Sequence, residues 1–215
     1  MIKLKDILEN KVLVSRRTKE ERSKNHLILT QRQIQQYSKD GGKGDLDLRD
    51  TPINSLPDGL EVGGNLDLTN TLITSLPNDL RVDGNLALRN TPIKSLPNDL
   101  RVGGDLNLIN TQLTSVPSDL KVGGNLELTT TLIKSLPSDL KVGGNLELRN
   151  TQINSLPDGL EVGGNLNLIN TQLTSVPSDL KVGGNLYLFN TPISKKYSIE
   201  QIKQMVPGVR GNIYN

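Results

Sequence analysis

GNLALRNTPIKSLPNDLRVG, residues 84–103, is one unit of a pattern that returns every twenty residues without an insertion. Units begin at Gly44, Gly64, Gly84, Gly104, Gly124, Gly144, Gly164 and Gly184. Two leucine columns, Leu46 to Leu186 and Leu48 to Leu188, stand two residues apart. Side chains alternate across a strand, so this L-x-L spacing puts both leucines on one face of a short strand. Further apolar columns run through Ile53, Ile73 and Ile93, through Leu56, Leu76 and Leu96 with a proline after each, and through the Leu60/Val62 pair and its equivalents. One such unit cannot bury its apolar face alone. Parallel stacking makes a continuous core, and the expected fold is a repeat solenoid.

The polar columns fit bends. Proline lacks an N–H and fixes φ, which suits a turn better than a ladder. The aspartates two residues after it (Asp79, Asp99, Asp119, Asp139, Asp179, with Gly59 and Gly159 elsewhere) fit the same turn. The Gly-Gly pair before each strand is expected to supply positive φ and close coil-to-coil approach. An unbroken threonine column, Thr51 to Thr191, follows an asparagine column in which Asp50 and Thr130 are the exceptions. These side chains are expected to satisfy backbone groups where the ladder stops.

The motif L-x-L-x-x-T-x-I-x-x-L-P, as in Leu66-Asp67-Leu68, Thr71, Ile73 and Leu76-Pro77, resembles the leucine-rich repeat family over residues 44–194. The resemblance implies a parallel strand array whose strand face is the ligand surface. Two departures stand out: the family's leading leucine falls on Gly63 and its equivalents, and its asparagine position holds threonine. A three-faced β-helix, with L-x-L, I-x-x-L and L-x-V as faces, is the alternative.

Residues 1–43 form an N-terminal segment and expected helical cap, residues 44–194 the eight-unit array, and residues 195–215 a C-terminal helix and final strand. Leu4, Ile7 and Leu8 have helical spacing. Thr18-Lys19-Glu20-Glu21 fits a capping box, and Leu27, Ile34 and Tyr37 give the next helix an apolar stripe that Gly41-Gly42 ends. Ser198-Ile199-Glu200-Gln201 is a second capping box, and Gly211-Asn212-Ile213-Tyr214 copies Gly184-Asn185-Leu186-Tyr187, predicting a ninth strand. Units four and seven differ only at Asp105 against Asn165, which points to duplication of a three-unit block.

Composition narrows the function classes. There is no cysteine, so disulfides and thiolate metal sites are excluded, and a reducing cytoplasm is compatible. No apolar run is long enough to span a membrane, and no signal-peptide pattern is present. The array holds 17 acidic and 10 basic groups, a net of −7, whereas residues 1–43 hold 11 basic against 5 acidic. An acidic array argues against a nucleic-acid surface.

Catalytic chemistry finds little footing. His26 is the single histidine, with no second ligand or nucleophile beside it in the sequence. Stacked carboxylates at Asp47/Asp67 and Glu127/Glu147 have about the separation of a retaining glycosidase pair, but repetition alone generates them. The basic column Arg81, Arg101, Lys121, Lys141 and Lys181 is expected to be neutralised by the aspartates two residues earlier. No enzyme activity, cofactor or metal is expected.

The variable positions on the L-x-L strands carry the functional expectation. The residue between the leucines reads Asp47, Asp67, Ala87, Asn107, Glu127, Glu147, Asn167, Tyr187. The next outward residue reads Arg49, Thr69, Arg89, Ile109, Thr129, Arg149, Ile169, Phe189. Arginine and aromatic residues dominate interface energetics, so Arg89, Arg149, Ile169, Tyr187 and Phe189 are the expected partner-binding residues. The competing reading packs Tyr187 and Phe189 against the C-terminal segment. MIKLKDILE resembles the cleavable leaders of internal head proteins of large tailed phages, with Ile7-Leu8-Glu9 at the cleavage motif, and the repeat resembles tailed-phage repeat proteins. Those resemblances imply a phage-encoded monomer that binds a host protein in the bacterial cytoplasm, or else a structural protein packaged in the virion.

Overall fold

The computed structural model describes residues 19–215. The Met1–Val14 stripe, the Thr18 capping box and the leader-like residues 1–9 lie outside the described residues. Helix α1, Lys19–Lys39, is the first element among the described residues and includes His26. It ends as expected before Gly41 and Gly42, both at positive φ. Ile34 of α1 joins the buried apolar cluster, and Tyr37 packs against it. Gln33 Nε2 donates to the Asp47 carbonyl (3.3 Å), so α1 meets the first strand at its outer edge.

The array is a parallel β-solenoid. Two-residue strands form a nine-stranded sheet in strict chain order, from Leu46–Asp47 to Leu186–Tyr187 and ending in Ile213–Tyr214. Each rung aligns with the equivalent residues of the next, Leu46 with Leu66 and so on to Leu186 with Ile213. A second parallel sheet of seven strands runs from Glu61–Val62 to Lys181–Val182. A bridge from Val182 to Val209 extends it. Two of the three faces of the β-helix alternative therefore carry ladders. The I-x-x-L side is joined by scattered bonds between coils, such as Leu72 N–H to the Ile53 carbonyl (2.9 Å).

The core is aliphatic and continuous along the axis. Both L-x-L leucine columns, the Ile/Leu column from Ile53 to Ile193, and the Leu/Val pairs are buried together. The residues between the leucines were expected to be exposed. From Asp67 to Tyr187 they are half-covered, because identical rungs about 4.8 Å apart shield each other's flanks.

The glycine reading needs correction. The paired glycines from Gly63-Gly64 onward do not have positive φ. Their role is close approach: a Cβ on Gly143 would lie 2.2 Å from the Gly123 carbonyl oxygen. The position that is left-handed in every coil is instead the asparagine column, with φ between 56° and 59° from Asp50 to Asn190. Asparagine tolerates this region better than other side-chain-bearing residues. Its amides bond to one another rather than to backbone: Asn90 Nδ2 to Asn70 Oδ1 (2.7 Å) and Asn110 Nδ2 to Asn90 Oδ1 (2.9 Å). The threonine column does satisfy backbone, each hydroxyl donating to the leucine carbonyl three residues earlier, as Thr71 to Leu68 (2.7 Å).

A second side-chain ladder starts at Asp45. The Oδ1 of Asp45, Asn65, Asn85 and each equivalent accepts the backbone N–H of the same position one coil later, at 2.7 or 2.8 Å. The last step runs from Asn212 N–H to Asn185 Oδ1, so the final strand is held in the same register.

At the C-terminal end helix α2, Pro192–Lys196, starts inside the eighth unit, three residues earlier than the expected break. Thr191, still the column threonine, also accepts the Ser194 N–H as the N-cap. Helix α3, Ile199–Met205, opens with the expected Ser198/Gln201 capping box. Ile202, Val206 and Ile213 are buried in the common core.

Candidate protein-binding face

The outward surface of the nine-stranded sheet presents two parallel columns of variable side chains. The backbone fixes their spacing, because every rung repeats the one before it. Along the first column the acids and amides have a local task. Asp47, Asp67, Asn107, Glu127 and Asn167 each accept the backbone N–H of the residue two positions on, as Thr69 N–H to Asp67 Oδ1 (2.9 Å). Short polar side chains commonly close such local loops.

The two carboxylate pairs on this face differ. Arg49 lies 2.6 Å from Asp47 and 3.4 Å from Asp67 and bridges them. Its hydrogen bond to Asp47 holds that carboxyl below its ordinary pKa. Glu127 and Glu147 face each other in register. Burial, then the charge of Glu127, pushes the Glu147 carboxyl above the usual glutamate range, and the Asn167 side chain and then the charge of Arg149 oppose that shift. Among the described residues no cation lies within ion-pair distance of either glutamate.

Toward the C-terminal end the face turns aromatic. Tyr187 stacks on Tyr214 of the final strand, ring centroids 5.0 Å apart at 9°, and Phe189 lies 6.4 Å from the Tyr214 ring at 25°. The Asn185 amide donates to the Tyr187 hydroxyl (3.2 Å) and fixes the ring along the strand. Phe189 remains 44% exposed and Tyr214 37% exposed. The aromatic residues therefore do pack against the C-terminal segment, and they also leave an apolar surface open. Ile169 is one rung from Phe189 and Arg149 two rungs away, in the same outward column. Arg89 stands three rungs before Arg149, exposed and separate from this patch. Tyr214 was missing from the sequence-level set, although Gly211-Asn212-Ile213-Tyr214 copies Gly184-Asn185-Leu186-Tyr187 and aligns it with Tyr187.

The second sheet shows a different pattern from the one expected. Among the described residues its basic column forms ion pairs with Glu161, to Lys181 at 2.8 Å and to Lys141 at 3.4 Å, and none with the aspartate column. The aspartates sit in the preceding turn, Asp79 and Asp139 at positive φ, and act on the column without ion-pair contact: Glu161 first, and more weakly the charge of Asp179, raise the pKa of Lys181. Glu161 is held below its ordinary pKa by Lys181 and then Lys141. A groove of about 570 Å³ runs over this corner, lined by Lys141, Gly143, Glu161, Lys181, Pro207 and Arg210.

Among the described residues no group of three or more His, Cys, Asp or Glu side chains could hold a metal ion. None of their helices is long and apolar enough to cross a membrane. The chain matches no protein-family model and no curated protein.

Proposed function

We propose that this protein is a non-enzymatic binding module of the leucine-rich repeat type, which grips a protein partner with the outward face of its nine-stranded sheet. One observation carries the reading: Phe189 and Tyr214 leave open apolar surface on a face whose next rungs hold Ile169 and Arg149. Stacked aromatic rings are already ordered, so little conformational entropy is lost when a partner covers them. Arginine and aromatic anchors of this kind supply most of an interface's energy. Arg89 sits farther along the same column and serves as a peripheral contact.

The resemblance of the repeat to tailed-phage proteins supports a phage-encoded monomer acting on a host protein in the bacterial cytoplasm. Crosslinked capture from bacterial lysate followed by mass spectrometry tests this: a stoichiometric cytosolic protein, lost on Phe189→Ala, is expected. A second reading, a structural protein packaged in the virion interior, is favoured by Ile7-Leu8-Glu9. It predicts the protein in purified virions, beginning after Glu9, with no stoichiometric host partner.

A further inference from the structure

The strand face holds two carboxylate pairs in the same parallel register, and among the described residues only one of them makes ion pairs. Arg49 neutralises Asp47 and Asp67. The Glu127–Glu147 pair is flanked by Thr129, whose hydroxyl donates to Glu127, by Asn167 on the next rung, and by Arg149, whose charge is felt at Glu147 although it lies outside ion-pair distance of both glutamates. Two like charges stacked about 4.8 Å apart repel, and a cation placed between them is attracted by both. From the middle of this pair to the rung of Tyr187 and Phe189 is two and a half rungs, about 12 Å. An extended peptide advances about 3.3 Å per residue, so four residues span that distance.

We propose that the face from Glu127 to Tyr214 takes an extended segment of a protein partner with an arginine or lysine four residues from an aromatic side chain. The cation seats between Glu127 and Glu147, and the aromatic ring lies on Phe189 and the open face of Tyr214. Charge complementarity selects the cation and sets the direction of the segment along the solenoid axis. The inference rests on the strand face being the binding surface.

The test uses the full chain and a synthetic peptide, acetyl-GSRGSGFGS-amide, followed by ¹⁵N–¹H correlation spectra during titration. Shifts concentrated on the rungs from Glu127 to Tyr214 are expected, weakening as salt is raised because the ion pairs are screened. The double variant E127Q/E147Q, which removes repulsion and keeps shape, is expected to bind at least fivefold more weakly. A peptide with glutamate in place of the arginine should produce no such shifts. Absence of shifts, shifts on the second sheet, equal binding of the glutamate peptide, or unchanged binding by E127Q/E147Q would each overturn the proposal. A captured partner that needs Phe189 but not the two glutamates would leave the strand face as the binding surface and remove only the cation chemistry. A partner that needs neither would remove both.

Discussion

Tyr187 and Tyr214 stack one rung apart, 5.0 Å between centroids, although an entire helical detour separates them in the chain. That stack joins the last repeat to the final strand and places the open aromatic surface at the end of the array. The same residues thus link the closure of the fold to its candidate function.

The closure makes the first prediction. Deleting residues 195–215 removes Ile202, Val206 and Ile213 from the core and leaves the Leu186–Tyr187 strand without its neighbour. A bare ladder edge above exposed leucines favours association between chains. The truncated protein is expected to aggregate or to unfold at lower temperature, as read by light scattering and circular dichroism. A monomer with an unchanged unfolding midpoint would show that the C-terminal segment contributes nothing to closure.

Thr130 supplies the second. It occupies the left-handed position of its coil at φ 59°, where a β-branched residue is strained, and it interrupts the amide ladder between Asn110 and Asn150. Thr130→Asn relieves the strain and lets the new amide donate to Asn110 Oδ1 and accept from Asn150 Nδ2. The expected gain is about 1 kcal/mol, a rise of about 2–4 °C in midpoint for a chain of this size. Thermal unfolding of variant and parent decides it; an unchanged or lower midpoint would mean the ladder adds nothing there.

Glu147 makes a pH prediction with a definite sign. Its folded-state pKa is raised by burial and by Glu127, so the charged form opposes folding. The penalty is absent below the ordinary glutamate pKa, about 4.5, and complete above the raised folded value. As pH rises through that interval this group lowers stability. Glu147→Gln is expected to be more stable than the parent at pH 7, with the advantage vanishing as the pH drops below the ordinary glutamate value. Denaturant unfolding across that range checks it, since the other titrating groups are common to both proteins. An advantage that does not change with pH would contradict the cause given.

Much of this fold is legible in the sequence because identical residues recur at identical spacing. Leu66, Leu68 and Ile73 declare their burial by period alone, and the copied Gly211-Asn212-Ile213-Tyr214 predicts the ninth strand. Backbone conformation is harder to read. Glycine and asparagine both tolerate positive φ, and in the folded coil it falls to Asn70 and its column rather than to Gly64. The Asp45 ladder has the same cause: an asparagine after glycine is an ordinary turn residue until the coil above it is in place. The candidate site was half visible. Phe189 and Arg149 stand out by type, whereas the exposed ring of Tyr214 and the Glu127–Glu147 pair, which makes no ion pair among the described residues, depend on how rungs align.

The most direct test of strand-face binding compares two single substitutions on opposite sheets, measured by calorimetry against the captured partner. Phe189→Ala removes an anchor of the aromatic patch; Lys141→Ala removes an exposed cation of the second sheet. Anchors commonly contribute about 2 kcal/mol or more, whereas rim charges contribute little. With unfolding midpoints matching the parent, Phe189→Ala is predicted to weaken binding at least about tenfold, equivalent to about 1.4 kcal/mol, and Lys141→Ala to leave it unchanged. Normal binding by Phe189→Ala together with loss of binding by Lys141→Ala would contradict the account and move the binding surface to the basic column.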